Sequence, residues 1–264
     1  MKHLPNLLTL CNLICGCIAI AFALNSQPFR VMTAIPGEYY QVYGTEQAYW
    51  AGVFIGIAAF FDLLDGFAAR ALQVFSPIGK DLDSLADLIS FGVAPSMILF
   101  KMLWSAYMEE PRAMDVGMPA MIPAFFIACF AALRLARFNI SPQRQKWSFT
   151  GLPVPAVGVL VASFPLINLY NPYNLGSYLQ GKWPIYTVIA ILCWLMVSKI
   201  QFFKLMPARW QIKYMWPQIV LLLAAIATVP LLQPAAIPVL FLLYILLSLV
   251  YKAPQETVTQ SVQS

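Results

Sequence analysis

Four carboxylates, Asp62, Asp65, Asp83 and Asp87, stand in two stretches otherwise apolar enough to cross a membrane. A charge at that depth costs at least about 2.5 kcal/mol unless something neutralises it, so intramembrane acids mark function by default. At about 100° of helical turn per residue, Asp62, Asp65, Gly66, Ala69 and Arg70 share one face. On the next helix Gly79, Asp83, Asp87 and Ser90 fall within about 80° of one another, while Asp81 points the other way. The connection Val74–Ile78 is short, which makes the two helices antiparallel neighbours whose polar faces meet. Four like charges cannot share a site unaided. Two divalent cations would neutralise them, and an all-oxygen ligand set selects hard ions such as Mg²⁺ or Mn²⁺. Such a pair suits displacement at phosphorus, clamping the attacking and leaving oxygens. Gly66 and Ala69 let a bulky ligand approach the helix, and Arg70 offers a fork for phosphate. The expected ligand is a diphosphate ester held between helices at the membrane–water boundary.

The elements that must position these residues are transmembrane helices. Of 264 residues, 61% are hydrophobic and 10% charged, and mean hydropathy is +0.73. Soluble domains carry about 25% charged residues, so a soluble enzyme is excluded. The net charge of +5 bears on orientation rather than on nucleic acid, and no nucleic-acid partner is expected. Cys11, Cys15, Cys17, Cys129 and Cys193 lie in apolar runs without a metal-type pair and read as small packing residues. His3 is the only histidine, which excludes histidine-based catalysis and His–zinc sites. The first apolar run contains Asn6, Thr9 and Asn12 and has no clean cleavage site, so it is expected to be a retained helix rather than a signal peptide.

Runs of about 17–25 apolar residues suffice to span a bilayer. They occur at 4–24, 48–73, 80–106, 119–139, 152–170, 184–203, 217–233 and 234–250. The expected fold is therefore an all-α, polytopic integral membrane bundle of about eight transmembrane helices. Residues 1–250 form a single transmembrane domain, and 251–264 form a polar tail, expected to be disordered. Pro119, Pro184 and Pro217 sit near expected helix starts, where proline is tolerated. Loop 25–47 is given no role. With the N-terminus inside, twelve of the sixteen Lys and Arg residues fall on the cytoplasmic side, as the positive-inside rule requires. That topology sets the carboxylates at the cytoplasmic ends of the second and third helices, in a cytoplasmic membrane of bacterial type.

Arg134 and Arg137 are three apart and share one side of the fourth helix. They read either as positive-inside anchors or as ligands for an anion in the cavity. The acids themselves have competing readings as proton relays, ion-pathway ligands or salt-bridge partners of these arginines. A cation transporter is the corresponding alternative of a different class.

Residues 62–87 read D-x2-D-G-x2-A-R-x8-G-x3-D-x3-D. This pattern resembles, without departure, the signature of the CDP-alcohol phosphatidyltransferases. The resemblance implies that Asp62, Asp65 and Asp83 ligate metal, and that Asp87 is the general base and also touches a metal. It implies that Gly66, Ala69, Arg70 and Gly79 bind the CDP moiety, with Ser76 near the diphosphate. Pro5-Asn6-Leu-Leu-Thr9 resembles the family's nucleotide-contacting stretch, which adds Asn6 and Thr9. Residues 83–95, 132–139 and 149–155 are similar to the phosphatidylserine synthase branch. The C-terminal third is apolar and generic.

The reaction so implied is metal-dependent transfer of a phosphatidyl group from CDP-diacylglycerol to L-serine, giving phosphatidylserine and CMP. Arg134 and Arg137, with Ser90 and Asn139, are candidates to contact the acceptor or a phosphate. Pro95 with Gly92, and Pro153 with Pro155, are expected to bend helices around the cavity. A homodimer surrounded by membrane lipids is the implied assembly. The same chemistry with glycerol 3-phosphate, inositol phosphate, choline or a second lipid as acceptor is the nearest rival.

Overall fold

The computed structural model describes residues 4–26, 28–32, 39–43, 45–73, 77–109, 115–140, 148–170, 172–203 and 212–251. Ser76 and nearly all of the 251–264 tail lie outside these residues. The expected all-α membrane bundle is what the chain forms. Among the described residues, five helical stretches are long and apolar enough to cross a membrane, and two further apolar helices are shorter.

Helix α1 (Leu4–Asn25) has 22 residues, enough at about 1.5 Å each to cross the hydrocarbon layer. It stops at Ser26, whose Oγ donates to the Ala23 carbonyl at 2.7 Å. Loop 25–47 is not wholly irregular: β1 (Pro28–Met32) pairs antiparallel with β2 (Tyr39–Tyr43), Pro28 opposite Tyr43. Helix α2 (Thr45–Leu72) follows and ends where Gln73 turns to φ 53°.

The third expected span, 80–106, is a composite rod. It consists of α3 (Pro77–Asp87), a π-helical turn (Leu88–Val93) and α4 (Ala94–Met108). In the π turn, N–H groups reach five residues back rather than four, as Ala94 does to the Ile89 carbonyl. Pro95 has no N–H to return to the Phe91 carbonyl, so regular winding is already broken at this point. The structure thus places a winding change where the sequence suggested a bend.

Helix α5 (Phe126–Ile140) is entered through two 3₁₀ turns, Met118–Ala120 and Ile122–Phe125, each carrying a proline. Helix α6 (Val154–Tyr170) contains Pro165. The short α7 (Leu175–Leu179) leads to α8 (Lys182–Val197). The expected span 184–203 is therefore too long at its C-terminal end. Its last residues form β4 (Gln201–Phe203), paired antiparallel with β3 (Ser148–Thr150). Gly151 makes the turn from β3 into α6 possible. It sits at φ 80°, where a side chain is strained, and its N–H donates to the Ile200 carbonyl at 2.9 Å. Helix α9 (Ile212–Leu232) starts five residues before Pro217, and a 3₁₀ turn (Gln233–Ala235) joins it to α10 (Ala236–Val250). Gln233 adopts φ 51° and breaks the long apolar run there.

Helix α1 packs against both α2 and the α3–α4 rod, while α6 covers the other side of α2. The core runs through Ile55, Phe91, Leu99, Leu103, Ile127 and Leu152, all fully buried. Leu222, Leu223, Ile226, Leu242 and Leu246 on α9 and α10 remain exposed, as residues facing acyl chains must. All five cysteines are free.

Candidate active site

Helix α2 supplies Asp62 and Asp65, and α3 supplies Asp83 and Asp87. One oxygen each from Asp62, Asp83 and Asp87 lie within 4.8 Å of one another. Asp65 and Asp87 are buried, and Asp62 and Asp83 are half-buried. Asp65 stands beside this triad, within electrostatic reach of Asp62 and Asp83. Asp81 is exposed, as its helical angle required.

Helix α1 reaches both groups of acids. The Thr9 hydroxyl has Asp65 Oδ2 at 2.8 Å and the Pro5 carbonyl at 3.0 Å as acceptors. One turn later, Asn12 Nδ2 donates to Asp87 Oδ1 at 3.3 Å. Polar side chains three residues apart lie on one helical face, so α1 turns that face to the carboxylates. Asn6 is half-buried in the first turn of the same helix.

Gly66, Ala69 and Gly79 are half-buried near the acids. Arg70 is exposed, and its Nε donates to the Gly66 carbonyl at 2.8 Å, one turn back along α2. Arg134 on α5 is buried and within electrostatic reach of both Asp87 and Tyr244 of α10. Arg137 is exposed, so the two arginines do not occupy equivalent environments. Asn139 Nδ2 donates to Ser84 Oγ at 2.8 Å, and Lys80 Nζ donates to the Asn139 carbonyl at 2.9 Å. These bonds tie the end of α5 to α3. Ser90 is fully buried, and its hydroxyl donates to the Asn12 carbonyl at 3.0 Å. The structure engages Ser90 in holding α1 against the rod.

Three residues near the site escaped the sequence reading: Asn12, Ser84 and Tyr244. Asn12 had a signal, since it follows Thr9 by three residues in an apolar helix. Ser84 and Tyr244 had none, because their partners are distant in sequence.

The donors fit a hard divalent cation. Oxygens sharing one Mg²⁺- to Ca²⁺-sized ion at about 2.0–2.6 Å can lie at most about 5 Å apart, and the Asp62, Asp83 and Asp87 oxygens meet that limit. The triad contains no nitrogen or sulfur donor that would favour zinc. Membrane helices here bring carboxylates together at one end, in an oxygen-only set suited to a hard divalent cation. Residues 2–230 match the family model for CDP-alcohol phosphatidyltransferases, and the chain belongs to this family. Enzymes of the family are generally dependent on divalent metals.

Individual relatives narrow the comparison. The CDP-diacylglycerol–serine O-phosphatidyltransferase of Bacillus subtilis is 32% identical over 204 residues, covering 76% of this chain and 90% of its own length. The protein of the same name from Helicobacter pylori (strain 26695) is 32% identical over 212 residues, covering 79% of this chain and 75% of its own. The archaetidylserine synthase of Methanothermobacter thermautotrophicus is 36% identical over 117 residues, 44% of this chain and 46% of its own.

Proposed function

We propose that this membrane enzyme transfers a phosphatidyl group from CDP-diacylglycerol to the hydroxyl of L-serine, releasing phosphatidylserine and CMP. The observation that carries the reading is the meeting of Asp62, Asp83 and Asp87 oxygens within 4.8 Å, on the spacing of the family's signature. Relatives whose names specify serine as acceptor support the choice of alcohol.

The reaction is a displacement at the phosphorus that bears diacylglycerol. A bond forms from the serine oxygen, the bond to the CMP oxygen breaks, and the hydroxyl proton passes to Asp87. The ligand set for two divalent cations, Mg²⁺ or Mn²⁺, is Asp62, Asp65, Asp83 and Asp87. When bound, the ions neutralise the diphosphate and the growing charge on the leaving group. Gly66, Ala69 and Gly79 leave room for the CDP moiety along α2 and α3. Arg70 provides its phosphate contact, and Asn6 and Thr9 of α1 complete that wall, with Ser76 beside the diphosphate. Buried Arg134 holds an anion, the serine carboxylate or a lipid phosphate, next to Asp87. Arg137 and Asn139 are assigned to the rim of the same acceptor site. Much of the rate then comes from bringing alcohol and phosphorus together in line.

The site faces the cytoplasm, in keeping with the basic-residue bias, where a soluble amino acid meets a lipid donor. Two copies of the chain form the working unit, as the family resemblance implies.

The test is an acceptor panel. Purified protein is given CDP-diacylglycerol and Mn²⁺ or Mg²⁺, then serine, glycerol 3-phosphate, inositol phosphate or choline, and CMP is measured. CMP release with serine alone is the expected result. Equal release with another alcohol overturns the acceptor assignment, and no release with any overturns the reaction.

A further inference from the structure

Asn12 is fully buried on α1, and its two polar ends are treated differently. Nδ2 donates to Asp87 Oδ1 at 3.3 Å, whereas Oδ1 is buried with no hydrogen-bond partner. Turning the amide over would set a carbonyl lone pair against a carboxylate. The observed orientation is thus dictated by Asp87, at the expense of the other end of the amide. The backbone of Asn12 is held as well, since its carbonyl accepts the Ser90 hydroxyl at 3.0 Å. Ser90 gets that close because residue 16 is glycine: a Cβ there would lie 2.8 Å from the Ser90 Cα and overlap its Oγ. Asp87 and Ser90 flank the start of the π turn, so both jaws of this clamp come from one rod and close on one residue of α1.

We propose that Asn12 is a positioning residue. It holds Asp87 Oδ1 with a hydrogen bond and, with Asp62 hydrogen-bonded to the same carboxylate, so sets the plane in which Asp87 meets the acceptor hydroxyl. This rests on the reading of Asp87 as proton acceptor. Asn12 touches neither substrate nor phosphorus; it acts by fixing the carboxylate plane. A carboxylate free to rotate would accept the proton less often in the productive geometry, while the CDP-lipid, bound elsewhere, would be held as before.

The experiment compares Asn12→Ala and Asn12→Asp with the native chain in CMP release, KM for CDP-diacylglycerol, melting temperature and the solvent deuterium isotope effect on kcat. Loss of an outer orienting partner lowers kcat about 10- to 100-fold. The expected pattern adds an unchanged KM for the CDP-lipid, an unchanged melting temperature and a larger isotope effect, because proton transfer now limits the rate. Native kcat in a folded variant overturns the proposal. So does a fall in kcat matched by a rise in KM with the isotope effect unchanged, the pattern of general structural damage. Should neither variant fold, Ser90→Ala, which opens only the backbone jaw, is judged by the same four measurements. Asp87→Asn separates this proposal from the reading beneath it. If Asp87→Asn keeps its turnover, the base assignment itself fails; if Asp87→Asn is inactive while folded Asn12→Ala is native, Asn12 alone is misassigned.

Discussion

Asp87 differs from the other three carboxylates in its company. It is buried, bonded by Asn12, and within electrostatic reach of Arg134, whereas Asp62 and Asp83 are half-buried. The Asp87→Asn substitution keeps the shape but removes the proton acceptor. General-base catalysis contributes about 10²- to 10⁴-fold, so CMP release should fall by at least that factor. CDP-lipid binding, measured by equilibrium titration, should be retained. Asp62→Asn and Asp83→Asn each remove a charged oxygen from the proposed metal set. The Mn²⁺ concentration for half-maximal activity should rise about tenfold or more together with a loss of rate, and chelation of the native enzyme should abolish turnover. A Mn²⁺ titration of the two variants checks this. At this scale the acids were legible because a regular helix converts their spacing directly into a shared face. Asn12 was legible only in part: it follows Thr9 by three residues on one face of an apolar helix, but the group that it serves lies 75 residues away. Ser90 was set on the acid face by assuming regular winding through Asp87, where the helix becomes a π turn, and its hydroxyl donates to the Asn12 carbonyl.

Elements hold the residues in register by close approach. Phe91 in the π turn is fully buried and lies on Gly158 of α6, where an added Cβ would come within 2.8 Å of its ring and 3.1 Å of its Cα. Neither side can yield easily, because α6 also packs along α2. Gly158→Val should therefore cost about 1–3 kcal/mol, the usual penalty of overpacking. Thermal melting in detergent should show the loss, and activity should fall with it as the rod carrying Asp87 is pushed aside. The helices themselves were legible from apolar run length. Their ends were not, and the reason is visible at α8: Gln201–Phe203 is apolar enough to extend the span, yet Phe202 and Phe203 bury fully beside Tyr244 as part of a strand. Strand pairing with Ser148–Thr150 is a long-range event that local hydropathy does not encode.

For the whole molecule, charge placement argues which end of the bundle is wetted by the cytoplasm. Ile140 ends α5 on the side of the carboxylates, and Trp183 opens α8 at the opposite end of the proposed topology; both are exposed. In a cysteine-free background, Trp183→Cys should react with an impermeant thiol reagent in intact right-side-out vesicles. Ile140→Cys should react only after permeabilisation. Gel-shift labelling reads both, and the reverse pattern would invert the site to the outer face. The opposite end carries its own polar fastening: Tyr107 and Tyr186 share a hydrogen bond at 2.9 Å, the Tyr186 hydroxyl also contacts the Ala120 carbonyl, and Lys182 lies over the Tyr107 ring at 5.0 Å. Aromatic residues with polar tips suit a membrane–water boundary, and this end of the bundle has them.

Ser90, Phe91 and Gly92 follow one another directly, yet each is spoken for by a different helix. Ser90 meets α1, Phe91 meets α6, and Gly92 lies against Ala128 and Ala131 of α5. The π turn admits one residue more than α-helical winding would. Deleting one residue of Leu88–Val93 would restore ordinary winding and leave one residue fewer to serve three helices. The separate partners of Ser90, Phe91 and Gly92 could then not all be kept. Lipid-facing positions on α9 and α10 have no such constraint and can drift freely among apolar side chains. In this segment it is the number of residues, more than their identity, that descent must preserve.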